Sequence, residues 1–160
     1  MRTLIILLFI SFNGFTQTYK EVMSIKDIDS FKKVCIENNY ELMTPQKLMK
    51  HLNDRGISYQ RDSLPYQDIV FYIKDDRDRM LYLPDKDEFS IQIDRQTILG
   101  TGVYDYILDK VKDDCEYVKI ITSENGNEYA TYSCAESLFK GNIGFRIDGN
   151  EGIIWTFAEE

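Results

Sequence analysis

One histidine, three prolines and three cysteines in 160 residues leave little room for familiar catalytic chemistry. With His51 as the only imidazole, a His-rich zinc site is excluded, and a mixed site would need cysteine or carboxylate ligands at spacings the chain does not supply. His51 falls beside Lys47 and Lys50 on the polar side of a predicted helix, the setting of a solvated side chain. A Cys35–His51 pair is arithmetically available on adjacent helices, but Cys35 falls on an apolar helix face. The sequence has no Gly-x-Ser-x-Gly elbow, no phosphate-cradling Gly-x-x-x-x-Gly-Lys-Ser/Thr and no Gly-x-Gly-x-x-Gly. Ser-x-x-Lys occurs at Ser30–Lys33 and Ser137–Lys140, but its companions Lys-Thr-Gly and Ser-Asp-Asn are absent, so both are read as chance in a lysine-rich chain. No catalytic residue, cofactor site or metal site is assigned.

Long apolar runs are also scarce. The first stands at Leu4 to Ile10, after Arg2 and before the small residues Gly14 and Thr16. That is the layout of a secretory signal peptide over residues 1–16, with a mature chain beginning at Gln17. The run is shorter than the roughly 20 residues that span a bilayer, and no cysteine marks a lipoprotein cleavage point. No run of comparable length follows, which predicts no membrane insertion once the signal is cleaved. The expected location is secreted or periplasmic, with residues 17–160 as one domain long enough to bury a core.

The formal net charge is -8, and Arg2 leaves with the signal, so the mature chain is more acidic still. Nucleic acid and anionic membrane surfaces reward basic patches, so neither is an expected partner. An exported protein partner is compatible with this balance.

The periodicity predicts an α+β fold, about three helices on antiparallel strands in the rough order α-(β)-α-βββ-α-ββ-ββ. Ser24 followed by Asp27 starts a first helix with Ile25, Ile28, Phe31 and Cys35 at helical spacing, and Asn38–Asn39 stops it. Tyr40 to Met43 reads as a short strand. A helix follows from Thr44, capped there and favoured by Pro45 at its first position, up to Gly56. From Asp68 the period becomes strand-like. Ile69 to Ile73 is apolar on both faces and reads as a central, doubly covered strand; Arg79 to Leu83 returns, and Glu88 to Asp94 alternates, with Phe89, Ile91 and Ile93 inward and Ser90, Gln92 and Asp94 outward. A helix over Gly102 to Asp114 carries Val103, Tyr104, Ile107, Leu108 and Val111 on one face. The last hairpin turns at Asp148–Gly149. Both halves place a helix before a meander, the layout of an ancient duplication, but no repeat aligns at the residue level.

Cys115 and Cys134 bracket two apolar runs around Asn125–Gly126. A two-residue turn sets Cys134 against Tyr117 and leaves Cys115 diagonal to it at roughly 7–8 Å, too far for an unstrained bond. A three-residue loop, Glu124 to Gly126, points the cysteines to opposite faces. A four-residue loop, Ser123 to Gly126, pairs Thr122 with Asn127 and sets the cysteines directly opposite, with Gly126 left-handed at its end. The third case is preferred, since facing thiols oxidise outside the cell. The bond is a staple closing about twenty residues and worth roughly 3 kcal/mol in the chain-entropy model. A redox role would call for Cys-x-x-Cys. Cys35 is left as a buried thiol.

Carboxylates gather in turns: Asp75, Asp76 and Asp78; Asp85, Asp87 and Glu88; Asp148 and Glu151. Residues 148–152 have part of a calcium loop's composition but neither its alternating ligands nor its distal glutamate. Aspartate and glycine are what hairpin turns use. Of eleven tyrosines most are expected in the core or on the sheet, while Tyr66, in the Pro65 loop near Asp68, is a candidate for an interaction surface. The expected function is a small exported non-catalytic binding or interaction protein, inhibitor- or immunity-like. The alternatives are a small extracytoplasmic hydrolase using carboxylates and a small-ligand carrier.

Overall fold

The structure is a computed structural model that describes residues 18–44, 46, 47, 50, 69–75, 77–96 and 98–158. The expected signal peptide, most of the expected helix at 44–56 with His51, and the pair Tyr66 and Asp68 lie outside the described residues.

Among the described residues, three helices and eight strands make a sheet-dominated α+β structure. In chain order these are α1 (Tyr19–Met23), α2 (Ile28–Glu37), β1 (Glu41–Leu42), β2 (Val70–Lys74), β3 (Asp78–Leu83), β4 (Glu88–Asp94), α3 (Ile98–Asp114), β5 (Glu116–Thr122), β6 (Glu128–Ser133), β7 (Asn142–Asp148) and β8 (Glu151–Phe157). The strands form one antiparallel sheet in the order β1-β2-β3-β4-β8-β7-β6-β5. Two four-stranded meanders therefore meet through their last strands, β4 and β8.

Local sequence explains most boundaries. Asp27, not Ser24, caps α2: its carboxylate accepts from the Ser30 backbone N–H, and Ser30 Oγ accepts from the Asp27 N–H in return. That reciprocal pair closes the capping box with serine in place of the usual glutamate, and the Ser30 N–H holds the Asp27 carboxyl below its ordinary range. Asn39 takes φ 60 after the helix, as expected of a stop. α1 was not anticipated, although Thr18 and Glu21 carry a capping box. Only five residues long, it lacks the repeated apolar period on which the helix reading depends. α3 begins four residues before Gly102, whose missing side chain faces open space and so interrupts no packing.

The core lies between the helices and one face of the sheet. Phe31 of α2 meets the rings of Tyr72, Tyr82 and Phe89, and α3 contributes Tyr104, Ile107 and Val111. Gly152 on β8 admits Tyr104: a Cβ there would lie 2.3 Å from the ring. Tyr104 fills that gap and donates its hydroxyl to the Arg146 carbonyl at 3.0 Å, while the Arg95 guanidinium stands over its ring. Cys35 is buried with its thiol 3.5 Å from Met80 Sδ, and burial pushes the thiol's pKa up.

Two expectations about the first meander fail. β2 is next to the edge, because the two-residue β1 is the outermost strand on that side. Ser90, expected outward, is 1% exposed. There Ser90 lies between Leu81 and Trp155 on the two neighbouring strands, on the face opposite the helices.

Candidate functional site

The bend of the second meander has two causes. Gly144 on β7 leaves a gap into which β6 and β8 close: a Cβ there would lie 2.6 Å from Phe157 Cε2 and 3.0 Å from Tyr129 Cβ. Tyr129 accordingly packs edge-on against both Trp155 and Phe157. The second cause is a β-bulge at Val118, where Tyr117 pairs with Tyr132 and Lys119 with Thr131. A bulge increases local right-handed twist. The combined effect is large. Along the ladders the β3–β4 turn lies at the Phe157 end of β8 and the β5–β6 turn toward its other end. Yet Lys86 and Glu124, one in each turn, are 3.2 Å apart.

The bulge also decides the cysteine question. Ser123 N–H donates to the Asn127 carbonyl and Thr122 pairs with Glu128, so the loop is the three-residue Glu124 to Gly126 with Gly126 at φ 77. The four-residue loop is therefore corrected. Alone, that register would point the cysteines to opposite faces, but Val118 is one residue extra on β5 and restores the alignment. Glu116 then pairs with Ser133, and Cys115 and Cys134 lie opposite with sulfurs at disulfide distance and Cα atoms 4.5 Å apart.

Beneath the bent arm is an open groove of about 740 Å³. Its floor is Trp155 and Phe157 on β8, its near wall Leu81, Leu83 and Ile69, and its far wall the continuous stretch Lys119 to Asn125. Glu88 fixes the floor, its carboxylate accepting from Trp155 Nε1 at 3.1 Å and from the Ala158 N–H at 3.2 Å. Lys86 and Glu124 bridge the two walls as an ion pair, with Glu124 well exposed. Ser90 lies between Leu81 and Trp155 on neighbouring strands, and its hydroxyl has no hydrogen-bond partner among the described residues.

Among the described residues, none of the turn aspartates lines this groove. Asp87 accepts from the Tyr82 hydroxyl, Asp148 pairs with Arg146, and Asp94 with Arg77. Asp78 accepts from the Asp94 N–H at 2.8 Å; burial pushes its pKa up, and nearby Asp94 and Asp75 add to that. Among the described residues no three His, Cys, Asp or Glu side chains converge as metal ligands would, and no helix is long and apolar enough to cross a membrane. Trp155 and Phe157 lie in the strand that follows the Asp148–Gly149 turn. Their place on a groove floor depends on the bend and on the β4–β8 pairing, which joins residues up to 65 positions apart.

Comparison of the chain with family models, with characterised proteins and with solved structures finds no match in any of the three.

Proposed function

We propose that this is an exported, non-catalytic interaction protein that holds another exported protein in the groove under the β5–β6 arm. The observation that carries this reading is the groove itself: an aromatic floor held by Glu88, mixed polar and apolar walls, and an open top. Aromatic side chains in a concave setting are typical anchors of protein interfaces. The two glutamates in the groove are already engaged, Glu88 with Trp155 and Glu124 with Lys86. That arrangement suits a scaffold better than a pair of acid and base. A small-ligand carrier is the second reading, favoured by a volume inside the range of about 300–1,000 Å³ common to small-molecule pockets. The open wall favours a longer occupant.

Native mass spectrometry of the protein recovered from its extracytoplasmic fraction tests the reading. The expected result is a chain beginning at Gln17, two hydrogens lighter than fully reduced, and carrying a second polypeptide. Lys119→Glu, at an exposed position on the groove side of the far wall, should lose that partner, whereas Ile36→Ser on α2 should keep it. A partner held equally by both variants, or a turnover abolished by Glu88→Gln, overturns the reading.

A further inference from the structure

The far wall of the groove is made of consecutive residues, Lys119 to Thr122 of β5 and then Ser123 to Asn125 leading into the turn. Side chains of a strand alternate between its two faces, so a wall that uses every residue presents the strand's edge. β5 is the terminal strand of the sheet, and β6 is its one neighbour. The edge therefore carries main-chain donors and acceptors that no other described strand takes up. Which residues supply them follows from the inner side. Ser123 N–H donates inward to the Asn127 carbonyl, and the Lys119 carbonyl accepts from Thr131 Oγ1 at 2.6 Å. N–H and C=O of one residue point the same way and alternate along an antiparallel strand. Lys119, Ile121 and Ser123 thus face β6, and Ile120 and Thr122 face outward.

We infer that this edge takes up an extended segment of another polypeptide as a ninth, antiparallel strand, hydrogen-bonded to Ile120 and Thr122 and laying alternate side chains over Trp155 and Phe157. The inference rests on the interaction reading and specifies its partner as a peptide strand. Main-chain bonds would supply affinity and the groove floor side-chain preference, the division of labour in strand addition. The bulge at Val118 breaks the edge upstream, which limits pairing to the stretch from Lys119 onward. Lys119, paired with the groove-facing Thr131, projects on the groove side and favours an acidic residue on the incoming strand.

The probe is an end-blocked seven-residue peptide alternating valine with threonine around a central aspartate. Two copies are N-methylated, one at each alternate set of amides. Strand pairing predicts that one copy binds at least about tenfold more weakly than the parent while the other binds like it, since only one set faces the edge. Amide resonances of Ile120 and Thr122 should move more than those of Ile121. In the protein, Ile120→Pro deletes an outward N–H, a change that edge strands tolerate. It should abolish uptake, with Ile120→Ala retaining it within a few-fold. If both methylated copies bind like the parent, or the parent fails to bind at millimolar concentration, strand addition is overturned. A homodimer that Ile120→Pro dissolves, without peptide uptake, would assign the edge to a second copy and overturn it equally. A native partner that needs the groove but survives Ile120→Pro would sink strand addition and leave the interaction reading standing. A partner indifferent to Lys119→Glu removes both.

Discussion

The two meanders are built alike and end differently. Each has four antiparallel strands and reaches the centre of the sheet with its last one. The first, β1–β4, lies under the helices and packs Tyr72, Met80, Tyr82, Phe89, Ile91 and Ile93 against them. The second, β5–β8, buries Ile143, Phe145 and Ile154 in the same core but leaves its outer strand bare, with Tyr117 and Ile120 each 58% exposed. What separates them is a glycine, one extra residue and a cross-strand cysteine pair. Gly144 and Val118 bend the second meander across the first, and the cysteines tie the base of the bent arm. The comparison teaches that the groove is a product of curvature: the flat meander supplies its near wall and the bent one its far wall and floor.

The strongest way to break the comparison is at the cysteines. Reduction, or the double replacement Cys115→Ser with Cys134→Ser, should cost about 3 kcal/mol in urea denaturation and act on the second meander first. Equal loss of amide protection in both meanders would contradict it. Next come the two glycines, each expected to cost about 1–3 kcal/mol when changed to alanine, because the neighbours at 2.3 and 2.6 Å are ring atoms held in packing. Gly152→Ala should lift α3 from the sheet, whereas Gly144→Ala should open the groove with the helices in place. Trp155 emission, red-shifted only in the second variant, separates the two.

Deleting Val118 is a sharper test. Tyr117 and Lys119 already pair with adjacent residues of β6, so its removal should leave every ladder partner and the cysteine alignment intact. The arm should lose twist, and the ion pair between Lys86 and Glu124 should be lost. Asp78→Asn gives a smaller effect in the flat meander. Burial raises the Asp78 pKa in the folded state, so ionisation costs stability as pH climbs through the ordinary carboxylate range. The asparagine variant should melt higher than wild type at neutral pH, and the gain should disappear below about pH 4. Smallest is Glu124→Gln, expected within about 0.5 kcal/mol because the pair is solvated.

Much of the architecture was legible locally. The apolar face of α3, the Asn38–Asn39 stop and the Asp148–Gly149 turn each depend on residues within a few positions of one another. α1 was legible too, through Thr18 and Glu21, but was passed over for want of length. The groove was not. Val118 sits in a run of strand-forming residues that reads equally well with or without a bulge, and the pairing that sets Trp155 beside the buried Ser90 joins residues 65 positions apart. Cys115 and Cys134 lie at disulfide distance although the loop differs from the one expected, since the change of register at the turn and the bulge cancel.

β8 comes last of the eight strands in chain order and lies in the middle of the sheet, paired with β4 on one side and β7 on the other. A chain appearing from its amino end can therefore assemble each meander up to its last strand but cannot join them until Glu151–Phe157 is available. Until then both β4 and β7 offer open edges. Joining of the whole sheet is deferred until β8 is available, and deleting those seven residues would leave two half-sheets with no seam between them.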